Sequence, residues 1–158
     1  MASLPITEEE IRGLALETSF ARGEDYFRRG AVLEVIRRGN ALYARVQGSE
    51  EEPYRIWIEL GAQGVQEAMC TCPYDGGGIC KHRVAVLLTV LRTPEAVEER
   101  PPVEERLAAL GKKELRALWR RRLREEPWLV EWLEVQPEFR DPDSEGKGRG
   151  SRISRPMP

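Results

Sequence analysis

The sequence has few of the side chains that most often carry chemistry: one histidine and three cysteines among 158 residues. No apolar run approaches the ~20 residues that span a membrane, and the acidic start MASLPITEEE lacks the apolar core of a signal peptide. The net charge is only −2, so the composition shows no electrostatic footprint for nucleic acid. We therefore expect a cytoplasmic protein without a membrane-spanning segment, in which thiols stay reduced and do not pair as disulfides.

The rare side chains are concentrated in one stretch, MCTCPYDGGGICKHR. Cys70 and Cys72 end a predicted strand, where residues two apart point the same way, so both sulfurs can reach one ion. Cys80 and His82 repeat this spacing after PYDGGGI, a segment typical of a turn that folds the second pair back over the first. Three thiolates and an imidazole suit tetrahedral Zn²⁺ in a closed structural site. We therefore predict one zinc ion per chain.

An apolar helix follows the second pair of ligands. In a regular helix Cys80 and His82 would lie ~200° apart, so Cys80 is expected just before the helix, whose first N–H groups then favour the thiolate. Lys81 and Arg83 bracket the histidine and would offset the negative charge of the cluster. Catalytic Cys–His chemistry is the weaker interpretation, because it requires one activated thiol and an orienting third residue that is not evident. The pattern predicts a non-enzymatic site.

The segments before the cluster predict an α+β fold. Thr7 and Glu10 have the spacing of a capping box that opens a first helix, and SFARGEDYFRRG is typical of a second. Apolar residues then recur with period two in AVLEVIRR, ALYARVQG, YRIWIEL and VQEAMC, with a hairpin signal at Gly39-Asn40. These four strands predict a small antiparallel sheet, which the apolar helix RVAVLLTVLR is expected to cover.

The sequence changes character after Pro94, which ends this helix. TPEAVEERPP has the composition of a linker, and short helices broken by Gly111 and Pro127 follow it. Leucines and three tryptophans at helical spacing favour a core for this small helical unit. The predicted organisation is an α+β region at 1–93 that ends in a zinc finger at about 54–93, a linker at 94–101, a helical unit at 102–140 and a disordered tail at 141–158.

The spacing C-x-C-x₇-C-x-H, followed at once by an apolar helix, resembles the SWIM zinc finger, whose pattern is C-x-C, a variable spacer and C-x-H. The stretch FARGEDYFRRG is also similar to the F-x-R-G-x-x-Y-F-x-x-G stretch of bacterial SWIM proteins, so the resemblance covers roughly residues 18–93. It implies zinc as the cofactor and DNA or other proteins as partners, and some bacterial members occur with Swi/Snf-type ATPases. This sequence has no P-loop, so any such ATPase would be a separate partner.

Two basic segments are candidates for contacting DNA or a protein partner. Lys81, Arg83 and Tyr74 would place a basic edge beside an aromatic ring at the zinc loop, which suits contacts to phosphate and base. Charge balance of the cluster explains Lys81 and Arg83 at least as well. Arg121 and Arg124 belong to the run RALWRRRLR, which is also typical of a solvated face offset by neighbouring glutamates.

The sequence therefore predicts a non-enzymatic zinc-binding module that contacts DNA or a protein and has no small-molecule substrate. The family resemblance implies a Swi/Snf-type ATPase to which the module would be accessory. The near-neutral net charge leaves a pure protein–protein adaptor as the first alternative. Three cysteines and one histidine can also ligate a two-iron, two-sulfur cluster, so an iron–sulfur redox protein is the second alternative. The close spacing of Cys80 and His82 counts against that cluster.

Overall fold

The computed structural model describes residues 4–139, and the tail predicted at 141–158 lies outside them. One compact unit ends at Arg106 and a second begins at Leu107. The mixed arrangement of helices and strands confirms the predicted α+β fold class. The first unit contains, in chain order, α1 (Glu8–Leu14), α2 (Glu17–Arg28), β1 (Val32–Arg38), β2 (Ala41–Val46), β3 (Tyr54–Gly61), β4 (Gly64–Cys70), α3 (Lys81–Arg92), a 3₁₀ helix (Pro94–Ala96) and β5 (Val97–Arg100).

Helix α1 begins as the sequence predicts, whereas α2 begins at Glu17, two residues before the predicted start. Thr7 is the N-cap of α1: its backbone N–H donates to the Glu10 carboxylate at 2.6 Å, and the Glu10 N–H donates to the Thr7 hydroxyl at 3.3 Å. This reciprocal pair satisfies two N–H groups that would otherwise lack partners at the helix start. Ile11 of α1 and Phe20 and Tyr26 of α2 are buried.

The sheet has the strand order β4-β3-β2-β1-β5. Strands β1 to β4 form an antiparallel meander, and β3 shows the alternation that a sheet with one buried face requires. Its arginine, tryptophan and glutamate side chains lie on the more exposed face. The buried side chains of β3 are Tyr54, Ile56, Ile58 and Leu60.

The segment predicted as a linker at 94–101 is a structured edge of this sheet. It forms the 3₁₀ helix and β5, which pairs in parallel with β1. Arg38 donates a hydrogen bond to the Pro101 carbonyl at 2.8 Å, and Arg37 lies 3.6 Å from Glu99 in an ion pair. An edge strand keeps most of its side chains in water, so its acidic, proline-flanked composition resembles that of a linker. The predicted linker therefore contributes a strand to the sheet.

Helix α3 packs against the sheet and against α2, and it supplies much of the core. Each buried valine or leucine of this helix contributes about 1.5–3 kcal/mol to folding. At its C-terminal end Arg92 donates to Glu8 at 2.8 Å and to Glu24 at 2.9 Å, which links α3 to α1 and α2. The fully buried aliphatic residues of α3 are Val84, Ala85, Val86, Leu87, Leu88 and Val90.

The second unit is helical, with breaks at Gly111 and Pro127 as predicted. None of the side chains of its helices is buried, so the core predicted for the three tryptophans is wrong: the rings are exposed, and Leu115, Leu123, Leu129 and Leu133 are only half-buried. No helix in residues 4–139 is long and apolar enough to cross a membrane. The helices here are α4 (Val103–Ala108), which begins before the division, α5 (Lys112–Glu125), α6 (Leu129–Glu134) and a 3₁₀ helix (Pro137–Phe139).

Candidate metal centre

The four side chains predicted as metal ligands come from three consecutive parts of the chain. Cys70 is the last residue of β4, and Cys72 stands two residues beyond it in the loop. Cys80 is the N-cap of α3 in extended conformation, as its spacing from the histidine requires. His82 lies in the first turn of the same helix. The turn PYDGGGI therefore brings two ligands at a strand end opposite two at a helix start.

The geometry of these four side chains fits one tetrahedral metal ion. Their ligand atoms all lie within 4.8 Å of one another. Nδ1 of His82 is 3.9 Å from the sulfur of Cys70 and 3.9 Å from that of Cys80. A tetrahedron with the usual Zn–S and Zn–N bonds has S–N edges of about 3.6 Å. Because three soft thiols and one imidazole are a typical donor set for zinc, the Cys₃His group is positioned to bind one Zn²⁺.

The electrostatics around Cys80 favour the thiolate that metal binding needs. The hydrogen bond from Cys70 is the largest cause that lowers the pKa of Cys80, followed by contacts with His82 and with the backbone and side chain of Arg83. The same sulfur–sulfur hydrogen bond, together with burial, raises the pKa of Cys70. A bound cation requires deprotonated cysteines, so metal binding and proton release are coupled.

The imidazole of His82 is held between two aromatic rings. Its centroid lies 4.6 Å from that of Tyr54 and 5.2 Å from that of Tyr26, the latter edge-on. Only 4% of His82 and 1% of Cys80 is exposed. Because Nδ1 faces the sulfurs, the ring proton belongs on Nε2, which is buried and has no hydrogen-bond partner within the described part of the chain. The ring orientation thus depends on aromatic packing.

The loop between the two ligand pairs is fastened to the N-terminal helices. The Ile79 N–H donates to the Leu14 carbonyl at 2.9 Å. The preceding Gly78 has φ +64°, and a Cβ there would lie 2.5 Å from the same carbonyl oxygen, so glycine is required for this approach. The Tyr74 hydroxyl donates to the Gly77 carbonyl at 2.8 Å and accepts from Ser19 of α2 at 3.1 Å. These contacts attach the loop to α1 and α2.

Of the residues predicted to contact DNA or a partner at this loop, Arg83 is engaged within the site. Its Nε donates to the Cys80 sulfur at 3.4 Å and its Nη1 donates to the Ala68 carbonyl at 2.8 Å. These contacts agree with the alternative that Arg83 offsets cluster charge. Lys81 is half-buried, with Nζ 4.8 Å from the centroid of the Tyr26 ring.

A cleft of about 350 Å³ opens beside the metal centre, with Cys72, Cys80 and His82 among its lining residues. Its polar rim carries two positive side chains and one negative one, together with hydroxyl groups. Sequence reasoning missed Arg22, although it lies within the FARG stretch that carries part of the family resemblance. The polar rim consists of Ser19, Arg22, Ser49, Tyr74, Asp75 and Lys81.

The other two predicted contact residues, Arg121 and Arg124, lie on α5 in the second unit, and both are exposed. Their role stays a prediction. The structure does group them with further basic side chains on the same helix.

Comparison with known proteins agrees with the geometry. Residues 54–91, from the start of β3 to the last turn of α3, match the family model of the SWIM zinc finger, which confirms the predicted resemblance. The zinc finger SWIM domain-containing protein 8 homolog of Drosophila melanogaster is 30% identical over 119 residues. That alignment covers 72% of this chain but only 6% of the fly protein's length. No solved structure gives a significant match.

Proposed function

We propose that this chain is a non-enzymatic DNA-binding module. Residues 54–91 match the SWIM zinc finger, a zinc-binding module of the kind that contacts nucleic acid or protein. We propose that the rim of the cleft beside the zinc loop contacts the DNA. The observation that supports the proposal is the position of Arg22 and Lys81 together on this rim, next to a ligand set that is already complete.

The ligand set argues for a structural role of the metal. Four protein donors satisfy tetrahedral zinc and leave no position for a substrate or a reactive water. The ion would hold the end of β4 and the start of α3 together, so its binding free energy becomes local folding free energy. This arrangement supports an interaction module and gives no group a catalytic role.

The proposed DNA contact is local. Arg22 is exposed and Lys81 is half-buried, and both line the cleft, where the exposed hydroxyl group of Ser49 can also donate to phosphate. Asp75 lies on this rim as well, so we expect the backbone of the nucleic acid to follow the side that carries Arg22 and Lys81. Arg83 supports the site from within and is not assigned a DNA contact.

A protein–protein adaptor is the second candidate, and the charge of the first unit favours it. Residues 1–106 carry 18 acidic and 13 basic side chains, a net charge of −5 that opposes diffuse attraction to DNA. A Swi/Snf-type ATPase, which the family resemblance implies for some bacterial members, is the partner that we propose for an adaptor.

A salt-dependent titration with duplex DNA separates these two functions. Arg22→Ala with Lys81→Ala is expected to flatten the slope of log K against log salt by about 1.8, because two phosphate contacts are lost. The matched control is Arg28→Ala with Arg55→Ala, which removes two exposed arginines of the same unit that do not line the cleft. Zinc content must stay unchanged in both.

Two results would reject the DNA contact. Equal losses from both variant pairs would indicate diffuse attraction with no site. Absence of binding by the unmodified protein at about 20 mM salt, where screening is weakest, would favour the adaptor.

A further inference from the structure

Helix α5 is strongly basic on a chain whose net charge is only −2. Its 14 residues, KKELRALWRRRLRE, contain seven basic side chains and two acidic ones. The charge of the first unit is negative, so the positive charge of this helix is a local feature of the second unit. Such a concentration of positive charge identifies a polyanion as the complementary partner.

Four of these basic side chains form a single stripe. At 100° per residue they fall within an arc of about 80°, and they extend along about 16 Å of the helix. All four are exposed. Glu114 and Glu125 lie on the opposite side of the helix, about 80° or more beyond the edge of the arc. We call this feature the basic stripe; its members are Lys113, Arg116, Arg120 and Arg124.

The basic stripe differs from an ordinary solvated helix face. A solvated face usually places opposite charges four residues apart, whereas Arg116, Arg120 and Arg124 place like charges at that spacing, where they repel one another. Within residues 4–139, the ion pairs of α5 involve Arg122 alone, which lies outside the stripe and contacts Glu125 and Glu126. The stripe therefore keeps its positive charge available to an external anion.

Two tryptophans lie beside the basic stripe. Trp119 of α5 stacks on Trp132 of α6 with 6.2 Å between ring centroids and 13° between ring planes. The two residues are 44% and 51% exposed. Trp119 is about 60° from Arg116 around the helix, so the ring lies beside the stripe near Arg116. An exposed indole beside a row of arginines combines a stacking surface with phosphate-binding groups.

We propose that the basic stripe and the Trp119–Trp132 pair form a binding surface for single-stranded nucleic acid. The arginines would contact successive phosphates, and the exposed indoles would stack on bases. Single strands suit this surface better than duplex, because the faces of paired bases are covered by their neighbours in the duplex stack. The proposal goes beyond the zinc finger, since all of these residues lie in the second unit.

Binding of a fluorescent fifteen-nucleotide oligothymidine to the full, zinc-loaded chain tests the phosphate contacts of the basic stripe. Arg116→Gln with Arg120→Gln is expected to weaken binding about tenfold at 100 mM salt and to flatten the salt slope by about 1.4, as two lost single-strand phosphate contacts require. The matched control is Arg106→Gln with Arg122→Gln, an equal change of charge at two exposed arginines outside the stripe. That control is expected to change affinity by less than about twofold.

An abasic oligomer of the same length tests the proposed stacking of bases on Trp119 and Trp132. The unmodified chain is expected to bind oligothymidine about tenfold more tightly than the abasic oligomer, because only the former can stack on the indoles. Trp119→Leu should abolish this preference and leave the salt slope unchanged. Circular dichroism establishes that each variant keeps its helices.

Several outcomes would overturn the proposal. One is equal binding of oligothymidine and abasic oligomer by the unmodified chain, a result that needs no variant to fold. Others are equal losses from the two arginine pairs, tighter binding of a fifteen-base-pair duplex by the Arg22→Ala, Lys81→Ala chain, or competition by polyglutamate as effective as that by oligothymidine. The last result would indicate an acidic protein as the partner. Arg22→Ala with Lys81→Ala leaves the stripe intact. The proposed DNA contact at the zinc finger and the proposed single-strand contact at the stripe can therefore fail independently.

Discussion

Arg83 joins the two halves of the metal centre through a single side chain. It lies in the first turn of α3, yet its guanidinium reaches both the Cys80 sulfur and the backbone of β4 at Ala68. Groups around the ligands of a metal site orient them and adjust their charge. Arg83 does both, because it donates to a thiolate ligand and connects the strand and the helix that carry the ligands.

We expect Arg83→Gln to weaken zinc binding about 10- to 100-fold, because the ligand sulfur loses a charged hydrogen-bond donor and β4 loses a link to α3. Competition with a chromophoric chelator at pH 7 measures the affinity. Lys81→Gln is the matched control, because it removes the same charge two residues away on α3. The ammonium group of Lys81 lies over the Tyr26 ring. An equal loss of affinity from the two variants would show that only net charge matters.

At the scale of elements, the finger depends on close contact between α2 and α3. Gly23 of α2 faces Val84 of α3, and a Cβ on this glycine would lie only 2.3 Å from the Val84 Cγ1 atom. The two helices can approach this closely because glycine lacks a side chain. The same approach places Tyr26 against the His82 ring, so packing of α2 helps to orient a ligand.

We expect Gly23→Ala to destabilise the protein by about 1–3 kcal/mol, because the added methyl group forces α2 and α3 apart in a packed core. The midpoint of unfolding in urea measures this cost. Gly13→Ala is the control, since Gly13 lies within α1 with no atom within 4 Å of the added Cβ. That change is expected to be neutral or to stabilise by up to about 1 kcal/mol. Similar destabilisation by both would contradict the role of the close contact.

At the scale of the whole molecule, all four predicted ligands lie in the first compact unit. Purified protein is expected to hold about one zinc per chain, because four donors complete one tetrahedral site. Removal of the metal with a chelator should then raise amide exchange in the loop 71–79 and the first turn of α3, since binding free energy is local folding free energy. The β1–β2 hairpin and α5 should keep most of their protection.

Metal analysis and hydrogen exchange measured by mass spectrometry check these expectations together. Iron with labile sulfide and visible absorption would establish the iron–sulfur alternative. Unchanged exchange in the loop after chelation would contradict a structural metal. Loss of protection throughout the chain would show that zinc stabilises more than the finger.

The sequence by itself determined the local elements and the identity of the donor set. The capping pair at the start of α1, the period of two in β1 to β4 and the paired C-x-C and C-x-H spacings are short-range patterns, and each depends on residues a few positions apart. The placement of Cys80 before α3 follows from helix geometry alone. These features need no knowledge of distant partners.

Only the tertiary structure decided which surfaces these elements present. Strand β5 exists because the open edge of β1 lies beside a segment whose composition is that of a linker, and Arg22 reaches the cleft because α2 packs on α3. Arg83 faces the cluster, whereas Trp119 and Trp132 are exposed where helical spacing alone favours a core. Each outcome depends on contacts between residues far apart in the chain, whose free energies exceed local preferences and leave no short-range pattern.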